Sequence, residues 1–191
     1  MPSSPNAARV GEGFDDVMAA AQAGAEWAVA VLYRSLQPRL LRFLRAQAPA
    51  HDAEDIASQA WLEVARTLPF FAGDEDGFGA LVFTVARRRL ADHRRAVRRR
   101  PLEFVGDEAL ATVADRDVAE DEALARLGGE EAARRLTELL SPDQAEVVLL
   151  RVVAGLSVEQ VAALLGRRPG TVRVLQHRAL RRLARQLHDD L

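Results

Sequence analysis

Apolar residues recur three and four positions apart along most of the chain. No stretch alternates with period two long enough to make a strand, so every element is expected to be a helix. Phe14 to Ala23 reads as a short helix. After Gly24 a long helix starts near Ala25, with Trp27, Val31, Leu32, Leu40, Leu41 and Leu44 on its stripe; Pro38 is expected to kink or restart it, and Pro49 ends it. Asp52, with Asp55 three residues on, is expected to cap the next helix, whose apolar face is Ile56, Ala60 and Val64. Phe70 to Gly77 reads as a loop, and a helix follows from about Phe78 to Arg99, stopped by Pro101. Leu102 to Gly129 reads as a linker with a short helix near Ala119 to Leu127. Leu136, Leu139 and Leu140 end a further helix. Ser141-Pro142 is an N-cap followed by proline at the first helical position, and that helix runs to Val153 and closes at Gly155. Ser157 with Gln160 forms a second capping box, the helix after it stops at Leu165-Gly166, and Pro169 opens a last helix to about Leu187. The expected fold is all-α. A disordered tail (1–13) precedes one small helical domain (14–101), a flexible linker (102–131) and a second helical domain (132–191) that contains a helix-turn-helix.

Composition narrows the classes. The 191 residues are 49% apolar but only 5% aromatic, so the core must be largely Ala, Leu and Val. No cysteine is present, which excludes disulfides, Cys-zinc sites, iron–sulfur ligation and thiol catalysis. No apolar run reaches the roughly 18 residues of a membrane span, and the N-terminus lacks an apolar signal region, so the expectation is a cytoplasmic protein without a membrane role.

Charge changes the picture by its placement. The net charge is −2 and all 26 basic residues are arginine. Coding bias in a GC-rich genome accounts for Arg over Lys but not for where the arginines sit. Residues 1–101 carry +2, residues 102–131 carry −8 and residues 132–191 carry +4. Arg87 to Arg100 holds eight arginines and one acid, Asp92; Arg167 to Arg185 holds seven and no acid. Two separated basic stretches suggest two contacts on one polyanion.

The second stretch has the spacing of a DNA-binding helix-turn-helix. Ala162 is small where two helices cross, Gly166 lies four residues on, and Val172 and Leu175 then face the first helix. The second helix is left to expose Arg168, Thr171, Arg173, Gln176, His177 and Arg178 to phosphates or base edges. The plain alternative is a helical hairpin with a solvated arginine face. In the first stretch Arg87, Arg88, Arg94 and Arg95 crowd one helix end, and Asp92 is expected to pair with Arg88, Arg89 or Arg95. The loop before it, with Phe71, Gly73 and Asp74, has the aromatics and acceptor to hold an unstacked base. The plain alternative there is that Phe71 and Phe78 are core. The four histidines lack metal-ligand spacing, and no phosphate loop or Ser-His-Asp arrangement occurs, so no metal, cofactor or enzymatic activity is expected. Asp52, Glu54 and Asp55 fit a helix N-terminus or a docking face.

Nearly the whole chain resembles the bacterial extracytoplasmic-function (ECF) sigma factors. Asp52-Ala53-Glu54-Asp55-Ile56 is similar to the family's DAED motif, with Trp61-Leu62 at its aromatic-Leu pair. Phe71-Ala72-Gly73-Asp74 resembles its base-capturing loop. Val85-Ala86-Arg87 and Asp92-His93-Arg94-Arg95 resemble the helix that reads and melts the minus-ten element. Gly170-Thr171-Val172-Arg173 and His177-Arg178-Ala179-Leu180 resemble its fourth region. The chain departs from the pattern at Leu81, Arg88, Ser58 and Gln59, where the family usually has Trp, Asn, Gln and Glu.

The resemblance implies a promoter-specificity subunit acting on core RNA polymerase and promoter DNA. It would be monomeric when free, with an anti-sigma factor as a further partner. It assigns minus-thirty-five recognition to Arg168, Thr171, Arg173, Gln176, His177 and Arg178. Minus-ten recognition falls to Phe71, Gly73, Asp74, Arg87, Arg88, Arg94 and Arg95, and polymerase docking to Asp52, Asp55, Gln59 and Glu63. A helix-turn-helix regulator that never joins the polymerase is the competing reading; it predicts a dimer on a palindrome.

Overall fold

The computed structural model describes residues 9–99 and 132–189. The linker, its expected short helix, Arg100 and residues 1–8 lie outside the described residues. Eight α-helices are described, and no strand occurs among these residues. They are α1 (Phe14–Gln22), α2 (Glu26–Arg45), α3 (Ala50–Thr67), α4 (Glu75–Arg99), α5 (132–139), α6 (Pro142–Val148), α7 (Val158–Leu165) and α8 (Pro169–Asp189). A wider π-helical turn, Leu149–Val153, extends α6.

Helices α1–α4 wrap one core. Phe43, Phe78, Phe83, Leu40, Leu44, Ile56 and Val82 are fully buried in it. Phe43 and Phe83 meet edge to face with centroids 5.5 Å apart. Burying a side chain of this size contributes about 1.5–3 kcal/mol, so seven such positions outweigh local irregularities. Pro38 shows this. It sits inside α2 and neither ends nor restarts the helix, because Leu32, Leu36, Leu40, Phe43 and Leu44 are buried on both sides of it. That burial exceeds the roughly 3 kcal/mol an internal proline costs.

Three boundaries differ from the sequence expectation. Helix α3 begins at Ala50 with Pro49 at the N-cap and no side-chain cap. Asp52 does not cap; its carboxylate lies 3.3 Å from His93 Nε2 on α4. Helix α4 begins three residues before Phe78, because Asp74 caps it: Asp74 Oδ1 accepts from Gly77 N at 2.7 Å and Asp74 O from Phe78 N at 2.9 Å. Part of the expected disordered tail is ordered. Gly11–Gly13 forms a 3-10 turn. Val10 N and Gly11 N donate to the two Glu75 carboxylate oxygens at 2.8 and 3.1 Å, and Arg9 pairs with Glu75 and Asp76.

Helices α6–α8 form the second unit, with Val161, Ala162 and Val172 buried between α7 and α8. Leu140, Ala145, Val148 and Ala179 form a small separate cluster. The two units touch. One continuous apolar cluster runs from α1–α4 into Val147, Leu149, Leu150 and Leu156. The Leu149–Val153 turn packs on α2, and α7 packs on α4.

Candidate nucleic-acid interface

The turn between α7 and α8 is built as the spacing predicts. Ser157 Oγ accepts from Gln160 N at 3.0 Å, and Ser157 N donates to Gln160 Oε1 at 2.7 Å, so α7 opens on a complete capping box. Gly166 closes it at φ 63°, ψ 33°, a left-handed conformation that a Cβ disfavours. Arg167 N then donates to Ala162 O at 2.9 Å. Val172, Leu175 and Ala179 turn inward at helical spacing. Gly170, Arg173, Val174 and His177 are left facing outward.

Five of the six residues expected to read DNA from α8 are exposed: Arg168, Thr171, Arg173, His177 and Arg178. Gln176 is half-buried, and its Oε1 accepts from Arg151 Nε at 3.2 Å. Arg151 also donates to Leu156 O. This arginine braces the underside of α8, a role that sequence spacing does not reveal. Arg173 Nη2 lies 2.9 Å from Glu159 Oε1, with both side chains largely in solvent. Such an exposed pair is worth at most about 1 kcal/mol and yields readily to a phosphate or base edge.

The loop before α4 divides its aromatics. Phe71 is half-buried and meets Phe78 edge to face at 5.4 Å, which is the plain core role for that ring. Phe70 is the free one, 84% exposed at the end of a 3-10 turn, Leu68–Phe70. Gln22 Nε2 anchors the loop by donating to Leu68 O at 3.1 Å and Phe71 O at 2.8 Å. Gly73 sits close against the Phe71 ring: a Cβ there would lie 3.0 Å from Phe71 Cζ, so the ring would have to shift. Asp74 is exposed and caps the helix start, its Oδ1 taken up by Gly77 N.

The α4 arginines occupy distinct environments. Arg88 and Arg89 share Glu63: Arg89 Nε and Nη2 lie 3.0 and 2.6 Å from its Oε2, and Arg88 pairs with Oε1. Arg95 pairs with Asp92, one of the three partners anticipated for that acid. Arg87 Nε donates to Glu146 Oε1 on α6 at 2.6 Å. Arg94 Nη2 donates to Gln47 O at 3.1 Å, and burial holds its guanidinium below ordinary arginine basicity, against a smaller opposing pull from Glu146.

Of the four docking residues on α3, Asp55 and Gln59 are exposed and Asp52 is half-buried against His93. Glu63 is not available for a partner's arginine: its side chain is 18% exposed and committed to Arg88 and Arg89. The packing of α3 on α4 brings these groups together. Sequence spacing missed an apolar feature on the same face. A groove of about 370 Å³ opens between α2 and α3, with Val29, Tyr33, Trp61 and Leu62 on its walls. Leu62 is 62% exposed. Trp61 is held by its Nε1 donating to Gln37 Oε1 at 2.7 Å and by Tyr33, with centroids 5.0 Å apart. Trp61-Leu62 was legible as an aromatic-Leu pair; that Leu62 points outward was not. Among the described residues no three metal-ligating groups converge, and no helix is long and apolar enough to cross a membrane.

The family model for Sigma-70 region 2 matches residues 32–100, and that for Sigma-70, region 4, matches residues 130–183. The ECF RNA polymerase sigma factor SigD of Mycobacterium tuberculosis is 34% identical over 189 residues, covering 94% of this chain and 86% of SigD. The ECF RNA polymerase sigma factor BldN of Streptomyces coelicolor is 35% identical over 174 residues, covering 89% of this chain and 64% of BldN. In fold, the chain resembles CnrH as solved with the cytosolic domain of CnrY. That match has a TM-score of 0.63 at 20% identity and covers 94% of this chain and all of that one.

Proposed function

The chain belongs to the sigma-70 family as an ECF RNA polymerase sigma factor, and from that premise we propose how its two units divide the work of directing transcription initiation. Residues 132–191 recognise the minus-thirty-five element through α8. Residues 14–101 bind core polymerase and open the minus-ten element. The observation that carries the first assignment is the exposure of Thr171, Arg173, His177 and Arg178 on α8, and of Arg168 just before it, on a helix held by the Gly166 turn and buried Val172.

The minus-ten assignment rests on α4 and the loop before it. Duplex DNA hides base faces, and extruding a base costs a few kcal/mol. Phe70 offers a stacking face, while Arg87, Arg88, Arg94 and Arg95 supply charge for the backbone beside it. Phe71, Gly73 and Asp74 shape this loop from within. Polymerase docking is assigned to the α2–α3 groove with Asp55 and Gln59 on its helix, an apolar centre with a polar rim. The chain acts as a monomeric, non-enzymatic subunit in the cytoplasm, with an anti-sigma factor as a further partner.

The test is reconstitution with purified core polymerase on a randomised promoter library. The expected result is initiation only with the chain present, from a selected pair of elements. Arg173→Ala should change preference at one or two minus-thirty-five positions; equal loss at every promoter would make Arg173 a phosphate contact. Tight binding of the free chain to a palindrome as a dimer would overturn the reading in favour of an ordinary regulator.

A further inference from the structure

The last residue of α1, Gln22, is half-buried and reaches the loop before α4, 46 and 49 positions along the chain. Its Nε2 donates to Leu68 O at 3.1 Å and to Phe71 O at 2.8 Å. Both partners are carbonyl oxygens, and a primary amide nitrogen carries two N–H donors. Gln22 therefore spends its whole donor capacity on this loop. The two carbonyls bracket Phe70 in the chain. Phe70 is 84% exposed, so its own side chain gains little from packing and does not fix where the ring points. The backbone on either side of it has to do so.

Gln22 is itself held firmly. Phe14, Met18 and Ala21 of α1 are buried. The Phe14 ring lies 6.3 Å from Phe78, the same ring that Phe71 meets at 5.4 Å. Gly24, at φ 88°, turns the chain out of α1 just after Gln22, and Ala25 N donates back to Ala20 O at 2.9 Å. Past the loop, Glu75 in the first turn of α4 accepts from Val10 N and Gly11 N. The chain that precedes α2 thus grips the loop at both ends.

We propose that Gln22 is a positioning residue for promoter melting: it fixes the backbone around Phe70, so that the stacking face is in place before the base leaves the duplex. The inference deepens the minus-ten reading of this loop and rests on it. An extruded base gives up its stacking and pairing. A face already set receives it at no further ordering cost, whereas a loose loop has to be ordered at that moment. Gln22 does not touch DNA in this account; it acts through Phe70. A residue that served only the fold would lower initiation equally whether or not a base was there to be captured.

The test uses the full-length chain with core polymerase and follows single-round transcription over time. A set of duplex promoters carries one abasic residue at each non-template position of the minus-ten element in turn. The position at which the wild-type chain loses most marks the captured base. Gln22→Met keeps the length of the side chain and removes both donors; Gln22→Glu sets an acceptor against two acceptors. On the intact promoter Gln22→Met should slow initiation about three- to tenfold, the effect of having to order one side chain on binding, and Gln22→Glu should slow it further. On the promoter that is abasic at the captured position, both variants should match wild type. Adding Gln22→Met to Phe70→Ala should cost nothing beyond Phe70→Ala alone, because the two act as one unit. Equal losses on intact and abasic promoters, or a full second loss on top of Phe70→Ala, make Gln22 a fold residue and overturn the proposal. If wild type responds to an abasic position and Gln22→Met initiates as fast as wild type on the intact promoter, the positioning role alone falls. If wild type is indifferent to the abasic residue at every position, the base-capture reading itself falls, and this inference with it.

Discussion

Glu63→Gln separates a fold-and-positioning role from a docking role for the same residue. The substitution keeps size and hydrogen-bonding capacity but removes the charge that holds Arg88 and Arg89. Hydrogen bonds to charged groups contribute about 1.5–3 kcal/mol when shielded. Here Glu63 and Arg89 are 18% and 32% exposed and Arg88 is 60% exposed. Solvent therefore screens the Arg88 arm to below about 1 kcal/mol, and the Arg89 arm dominates. The expected loss is about 1–2 kcal/mol, a fall in melting temperature of roughly 2–8 °C for a chain of this size. Urea unfolding in low salt measures it, and a cycle with Arg89→Gln should return a coupling of about 1 kcal/mol. Core polymerase affinity should change less than twofold once the folded fraction is allowed for. Stability within about 0.3 kcal/mol of wild type together with a large loss of polymerase binding would refute the argument and return Glu63 to the docking face.

Three further outcomes are expected. Phe70→Ala should slow initiation on duplex promoters about tenfold or more while sparing templates with a pre-opened bubble, read by single-round transcription; equal loss on both would place Phe70 elsewhere than in melting. Gly166→Ala should cost about 1–2 kcal/mol, because its φ of 63° suits glycine, and since a Cβ there meets no atom within 4 Å the loss is backbone strain alone; thermal unfolding checks it, and no change would mean the turn relaxes. Leu62→Glu should weaken co-purification with core polymerase at least tenfold, more than Asp55→Arg, because it puts a charge into the apolar centre of the groove; unimpaired assembly of both would remove this face from docking.

Much of this protein was determined by local pattern. Helix periodicity, the Ser157–Gln160 box and the Gly166 turn are short-range, so each is written in a few consecutive residues. The all-α class, the helix-turn-helix and the outward arginines of α8 follow from them. So does the pairing of Asp92 with Arg95, three residues apart on one helix. What local pattern cannot encode is the competition among partners brought close by packing. Asp52 looked like a cap and Glu63 like a free docking acid, yet the α3–α4 contact gives them to His93 and to Arg88 and Arg89. Pro38 looked like a break, and burial on both sides of it overrode the local cost. Of two adjacent phenylalanines the sequence singled out Phe71 for an unstacked base, yet the loop turns that ring onto Phe78 and leaves Phe70 in solvent. The meeting of Arg87 with Glu146 spans 59 positions, and only the tertiary arrangement decided it, because a charge takes whichever partner the shared apolar core brings within reach.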